Sequence, residues 1–327
     1  MNSTQPTTFS VTFPSNAEQL ARIQQHLIDW FEANGRDLPW RRTRDPYRVL
    51  VSEIMLQQTQ VDRVKPKYAA FLEQFPSLEA LAAATPGDVI RAWAGLGYNR
   101  RALNLQRTAQ AVINDHEGRF PETPEALRNL PGIGPYTAGA VACFAFERDV
   151  AFMDTNIRRV VQRLFVGPDD TGASDRELIR IAEAAVPQGR GWIWNQAIME
   201  LGALICTASR PRCQICPLRA ECRAYAAWRT ADQDVFNYTP PPKPKAARAV
   251  AESKTPFTST SRYFRGRTVD TLRQLEPGHW LALAELGPRV KPDWADADRE
   301  WLLTLLHGLA ADGLIELDEA GDQARLP

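Results

Sequence analysis

Leu130-Pro131-Gly132-Ile133-Gly134-Pro135-Tyr136-Thr137 is the stretch that decides how this chain is read. Two glycines within three positions let the backbone turn tightly and approach a partner, and Pro135 suits the first turn of a following helix, where its missing N–H is no loss. The segment predicts a hairpin between two helices. Amides at such a helix start point outward and make a phosphate site, so Gly132, Ile133 and Gly134 read as a helix-hairpin-helix contact to a nucleic-acid backbone. An αα-hairpin with no ligand could carry the same glycines, and the neighbouring motifs decide between the two.

Outward from the hairpin, the pattern is helical from Ala17 to about Ala231. Apolar residues recur at three and four residue spacing, as in Leu20, Ile23, Leu27, Ile28 and Phe31, and no β-alternating run of any length interrupts them. An all-α body over 17–231 follows, its short helices separated by turn signals such as Thr85-Pro86-Gly87-Asp88. Residues 1–16 are rich in Ser and Thr, with neither the basic nor the apolar region of a targeting signal, and read as a disordered tail. Prolines interleaved with lysines, as in Pro242-Lys243-Pro244-Lys245, mark 232–260 as an extended linker. Beyond it, amphipathic stretches over 267–275 and 298–311 and a short strand in Gly313–Leu317 give 261–327 the pattern of a small winged-helix-like domain.

Composition agrees with two compact units and a connector. The 327 residues are 44% hydrophobic and 24% charged with a mean hydropathy of −0.35, the ordinary globular range. No apolar stretch approaches the roughly 20 residues that span a bilayer, so a cytoplasmic protein is expected. Net charge is +0, but unevenly spread: residues 232–268 hold 7 basic and 3 acidic groups, while 269–327 hold 5 and 12. The last segment repels phosphate on average, which makes it a candidate surface for a protein partner.

Three further features carry chemistry. Cys206, Cys213, Cys216 and Cys222 follow the spacing C-x6-C-x2-C-x5-C. Thiols packed this closely suit four sulfur ligands to zinc or to an iron–sulfur cluster, and spacing alone leaves both open. Cys143, in an apolar run, reads as a buried inert thiol. Glu53 stands in the mostly apolar helix Val49–Leu56, where desolvation would raise its pKa toward that of a general acid, unless it sits on a solvated side. Asp154 follows Val150-Ala151-Phe152-Met153 and precedes a helical run, the place of an N-cap.

The cysteine spacing at the end of a helical body resembles the [4Fe-4S] loop of the endonuclease III and MutY DNA glycosylases, and Ser52-Glu53-Ile54-Met55-Leu56-Gln57-Gln58-Thr59-Gln60-Val61 closely matches the catalytic motif of the MutY adenine glycosylases. The resemblance covers about residues 17–228. It implies a helix-hairpin-helix fold and a [4Fe-4S] cluster on the four cysteines that holds Arg210, Arg212 and Arg219 against DNA. It implies that Glu53 protonates adenine at N7, that Asp154 stabilises the sugar cation or bonds to it transiently, and that Tyr136 and Asn156 support the cation and orient Asp154. Relatives that also cleave the strand carry a lysine at the Tyr136 position, so a monofunctional enzyme is implied. For base flipping it implies Gln58 as a wedge with Gln57 as a further DNA contact, Tyr98 as an intercalating ring, and Arg36, Trp40, Arg41 and Gln196 around the extruded adenine.

The expected partner is double-stranded DNA with a mispair, adenine opposite 8-oxoguanine or guanine, bound by a monomer at the nucleoid in base excision repair. The chain departs from the family pattern at Thr155, where glycine is usual, at Asn99, where a second tyrosine is common, and in having no Nudix-like domain after the body. These departures leave a thymine/uracil glycosylase acting opposite guanine as the alternative, and a non-catalytic mismatch-binding protein behind it.

Overall fold

The computed structural model describes residues 16–169, 171–230 and 256–327, so all but the last residue of the tail expected over 1–16 and most of the linker expected over 232–260 lie outside the described residues. The first helices are α1 (Ala17–Asn34), α2 (Pro46–Leu56), α3 (Val61–Gln74), α4 (Leu78–Ala83), α5 (Pro86–Ala92) and α6 (Arg100–Asp115). The hairpin region gives α7 (Pro124–Leu127) and α8 (Pro135–Phe146), followed by α9 (Thr155–Val161), α10 (Asp175–Ala185), α11 (Gly191–Leu204) and α12 (Arg223–Thr230). The C-terminal residues add α13 (Ser261–Arg273), β1 (Leu281–Ala282), α14 (Leu283–Val290), α15 (Arg299–Ala311), β2 (Glu316–Leu317) and β3 (Gln323–Arg325). None of the described helices is long and apolar enough to cross a membrane.

Local chemistry explains where these helices begin. Asp45 caps α2 and Pro46 occupies its first position; Thr85 and Pro86 do the same for α5. Thr85-Pro86-Gly87-Asp88, expected to be a loop, is therefore a helix start: the Thr85 side chain accepts from the Asp88 amide at 3.1 Å. Ser174 and Glu177 form a reciprocal capping box at α10. In α2, Tyr47, Val49, Leu50, Val51, Ile54 and Met55 are all buried, and a helix apolar on every side must lie inside.

The described residues divide into two compact units, one from 16–41 and 138–230, the other from 42–137 and 256–327. In the first, α11 packs against α1 and α9, and α9 runs on into a π-turn over Gln162–Val166. In the second, α2, α3, α4, α5 and α6 pack together. The C-terminal elements of that unit form an antiparallel sheet of order β1-β3-β2, with Leu281 opposite Ala324 and Glu316 opposite Arg325. Val269, Leu286, Leu302, Leu306 and Ile315 fill its core together with Ile90 of α5 and Leu103 of α6. Two polar ties run alongside: the Gly87 amide donates to the Pro327 carbonyl at 2.8 Å, and Arg273 Nε donates to the Ile90 carbonyl at 2.9 Å.

Two of the C-terminal helices stand close to where the pattern puts them, with α13 starting six residues earlier than the amphipathic stretch. Helix α14 was hidden by Gly287-Pro288, which reads as a turn. In the fold Gly287 is a close-approach position instead: a Cβ there would sit 2.5 Å from the Trp294 ring. Because Ile90 is fully buried in the shared core, we expect Ile90→Ala to lower stability by about 2–5 kcal/mol. A urea titration checks this, and an unchanged midpoint would show that the C-terminal elements do not depend on α5.

Candidate active site and nucleic-acid interface

Glu53 is 3% exposed in the middle of apolar α2, the buried of the two placements that its sequence left open. The hydroxyl of Tyr136, one residue into α8, donates to Glu53 Oε2 at 2.9 Å. Gln57, just past the end of α2, reaches the same helix through a 3.3 Å contact from Nε2 to Thr137 Oγ1. The hairpin therefore brings the carboxylate, the tyrosine and the start of the Gln57–Gln58 turn into one neighbourhood within the second unit.

The hairpin turn has the backbone its glycines require. Gly132 has φ +75, and a Cβ there would also lie 2.7 Å from Asn104. Ile133 is buried and its amide donates back to Leu130, while the amides of Gly132 and Gly134 find no acceptor among the described residues. Outward donors of this kind suit an anion.

Gln58 and Tyr98 are both exposed, Tyr98 by 48%, and both have left-handed backbones, φ +56 and +46. Such a conformation costs a side-chain-bearing residue about 1 kcal/mol or more and persists only where the surroundings impose it. Arg101 imposes it. From α6 its guanidinium donates to the carbonyls of Ile54 at 2.7 Å, Met55 at 3.2 Å and Gln57 at 2.6 Å. It also donates to Leu96 at 3.0 Å and Gly97 at 3.1 Å, tying both loops to one side chain. Burial lowers its pKa to about 10, which leaves it charged at neutral pH. Sequence reading missed Arg101, because a partner made of backbone carbonyls has no side-chain signature.

In the first unit, Asp154 caps α9 as expected. Its Oδ1 accepts from the amides of Asn156 at 2.9 Å and Ile157 at 2.7 Å, and Asn156 Nδ2 donates to Oδ2 at 3.0 Å. Asn156 is held in turn by Arg159, which donates to Asn156 Oδ1 at 2.8 Å, the Gly202 carbonyl at 2.7 Å and the Cys206 carbonyl at 2.6 Å. The capping aspartate is thus connected to the first residue of the cysteine loop.

Arg36, Arg41 and Gln196 also come together in this unit, around a residue the sequence reading passed over, and Trp40 is buried in the same unit. Glu200, 1% exposed, accepts from Arg36 Nε at 2.7 Å and Arg41 Nη2 at 2.8 Å, while Arg41 Nε donates to Gln196 Oε1 at 2.7 Å. Burial alone would raise the Glu200 pKa, but the hydrogen bonds from Arg36 and Arg41 outweigh it and hold it at about 2. The available signal was a glutamate four residues after Gln196 in an apolar helix, one turn along the same face.

The four loop cysteines are half-buried and unbridged, and Cys143 is fully buried. Burial pushes the Cys216 and Cys222 thiols up to about 12, and both feel the charge of Cys206 and Cys213. Arg163, in the π-turn, donates to Cys206 Sγ at 3.6 Å and is paired with Asp169 at 2.8 Å. Among the described residues, no three His, Cys, Asp or Glu side chains gather tightly enough to hold one metal ion. Arg210, Arg212 and Arg219 are exposed on the loop.

Residues 51–188, spanning Glu53, the hairpin and Asp154, match the family model of the HhH-GPD superfamily base excision DNA repair proteins. An adenine DNA glycosylase from Mycolicibacterium smegmatis is 40% identical over 303 residues, 91% of this chain and 97% of that relative. The chain belongs to the adenine DNA glycosylase family of the HhH-GPD superfamily. A human family member is 42% identical over 63% of the chain and 40% of its own length. Among solved structures, a thermostable thymine-DNA glycosylase matches with a TM-score of 0.60 and 32% identity, covering 64% of this chain and 98% of that one. Endonuclease III bound to DNA shares the fold, with a TM-score of 0.56 and 23% identity.

For this family member, Arg101→Lys is a sharp test of loop support, since an ammonium cannot reproduce the fork that reaches both loops. We expect a loss of about 2–4 kcal/mol in stability together with a fall in base-release rate. Chemical denaturation and single-turnover kinetics measure the two, and full retention of both would remove Arg101 from this role.

Proposed function

We propose that the chain is a monofunctional glycosylase that hydrolyses the N-glycosidic bond of adenine mispaired with 8-oxoguanine or guanine in duplex DNA. The observation that carries this reading is Glu53, a carboxylate buried at 3% exposure and hydrogen-bonded by Tyr136 in a member of this family. Breaking the bond between C1′ and N9 needs a proton on the base and stabilisation of the cationic sugar, the division of labour that two carboxylates perform in glycoside hydrolysis. Glu53 delivers a proton to adenine N7, and the bonding electrons leave with the base. Asp154, oriented by Asn156, faces the positive charge developing at C1′. Water then supplies hydroxide to C1′ and completes hydrolysis. Tyr136 steers the Glu53 carboxyl and has no amine with which to form a Schiff base, so strand cleavage is not part of the reaction.

Gln58 and Tyr98 open the base stack with Gln57 against the DNA beside them, and the hairpin amides of Gly132 and Gly134, on either side of the buried Ile133, hold a backbone phosphate. Arg36, Trp40, Arg41 and Gln196 receive the adenine, preorganised by Glu200. The tail over 1–16, the body over 17–231, the linker over 232–260 and the module over 261–327 are the proposed divisions. Three helices and a small antiparallel sheet support the winged-helix-like reading of that last module. The enzyme acts as a monomer at the nucleoid, and the acidic part of the module is free to meet a protein.

Cys206, Cys213, Cys216 and Cys222 are the proposed ligands of a [4Fe-4S] cluster. Their chemistry fits: four neighbouring, half-buried thiols close enough to interact electrostatically supply the soft sulfur ligands that such a cluster takes. The buried Arg163 beside Cys206 offsets the negative charge of thiolates. The group's contribution is structural, holding the loop that presents Arg210 and Arg212 to DNA.

Single-turnover base release decides the substrate, using duplexes with A opposite 8-oxoguanine, A opposite G, T opposite G and U opposite G, followed by alkali. We expect adenine release from the first two and a loss of 100-fold or more in Glu53→Gln. Thymine stays on the panel because the solved 32%-identical relative is a thymine-DNA glycosylase. Release of T or U with adenine untouched would overturn the adenine reading. Separately, metal analysis should find iron and acid-labile sulfide in equal amounts, about four of each per chain, with loss of both in Cys222→Ser. Zinc in their place would sink the cluster assignment.

A further inference from the structure

The net negative charge of the C-terminal residues conceals a local reversal. Helix α13 carries Arg262, Arg265 and Arg267 in its first two turns, ahead of the segment 269–327 with its 5 basic and 12 acidic groups. These arginines stand beside the Gly95–Arg101 loop within the same unit. Arg262 Nη1 donates to the Tyr98 hydroxyl at 3.2 Å, and its guanidinium lies 5.4 Å from the ring centroid. Arg101 lies 5.7 Å from the same centroid, so the exposed ring is flanked by two cations. The residue after it is fixed to α13 as well: Asn99 Oδ1 accepts from Arg273 Nη2 at 2.7 Å.

Loop and helix enclose an open cleft of about 890 Å³ whose walls include Gln58, Arg63, Tyr98, Arg262 and Arg267. Some of its charge is neutralised internally, since Arg265 pairs with Asp312 at 2.5 Å and Arg273 with Asp270. Arg63, Arg262 and Arg267 have no carboxylate partner among the described residues. Unneutralised guanidinium groups around a strained, exposed tyrosine build a positive potential that an anion would relieve. A nucleic-acid backbone supplies one charge per nucleotide of each strand.

We propose that α13 is part of the DNA interface, with Arg262 contacting a backbone phosphate of the strand that Tyr98 enters. The inference rests on the reading of the Tyr98 loop as DNA-facing and is independent of which base is excised. It gives the C-terminal module a share in substrate affinity at the point where the duplex is opened, from the one stretch of that module where the charge is positive.

The test measures equilibrium binding of the full chain to a duplex carrying 2′-fluoroadenosine, which resists base loss, opposite 8-oxoguanine or guanine, across a series of salt concentrations. Arg262→Ala should weaken binding severalfold to both duplexes and lower the slope of log affinity against log salt by about one. Arg262→Lys, which keeps the charge, should retain most of that slope. Arg299→Ala removes the same charge from the exposed Arg299–Asp322 pair of the same module and should leave the slope alone. Arg262→Ala binding like the unmodified chain, or no differently from Arg299→Ala, overturns the proposal. So does a loss confined to one opposite base with the slope unchanged, which would make Arg262 a base reader. A thermal midpoint equal to that of the unmodified chain confirms that the variant is folded, as expected for an exposed side chain. Should the base-release panel fail to show adenine excision, a lowered slope in Arg262→Ala still supports this contact, so the two readings fail separately.

Discussion

Arg101 is the constraint on which the proposed DNA-facing loops depend. Five carbonyl groups, three at the end of α2 and two in the Gly95–Gly97 turn, accept from one guanidinium that also lies 5.4 Å from the Trp93 ring. Carbonyls at a helix C-terminus carry partial negative charge, so a cation is the natural group to close α2. Burying it is expensive, and its Nε has no hydrogen-bond partner among the described residues. What that expense secures is two exposed side chains, Gln58 and Tyr98, in backbone conformations that neither loop would hold alone.

The first unit works by the same device with different partners. Glu200 holds two arginines and, through Arg41, a glutamine; Arg159 holds Asn156, which holds Asp154. Arg36 and Arg41 are thus positioned by Glu200, and Asp154 through Asn156 by Arg159, charged neighbours with no role in the chemistry. Arg159 also reaches the Cys206 carbonyl, so the cysteine loop and the Asp154 cap share one support. Order in the loop and the orientation of Asp154 are physically linked without any contact between the cysteines and the carboxylate.

The body and the local pieces of the site were legible because they are written in short-range chemistry. Pro135 and Gly132 mark the hairpin, apolar neighbours on both sides bury Glu53, and Asp154 precedes a helical run as a cap does. Arg101 and Glu200 were not legible, since the α2-end carbonyls that Arg101 holds lie 44 to 47 residues away in the chain and the arginines that Glu200 holds lie 159 and 164 residues away. The C-terminal third was read only in part. Strands of two or three residues carry no periodicity, and Gly287-Pro288 inside α14 imitates a turn while serving contact with Trp294. Segment charge misled as well: an average over 269–327 says nothing about where the arginines just before it point.

The first unit is discontinuous, and this bears on how the chain is made. Helix α1 leaves the ribosome early, yet α11, against which it packs, begins at Gly191. At bacterial or eukaryotic synthesis rates that interval lasts roughly ten to thirty seconds. Throughout it Ile23, Leu27, Ile28 and Phe31 form an apolar stripe whose permanent cover has not been synthesised. Residues 42–137 emerge in between and can begin to collapse on their own. The nascent chain therefore carries an exposed amphipathic helix past a folding neighbour, a natural handhold for a chaperone and a point where slow translation would favour misassembly.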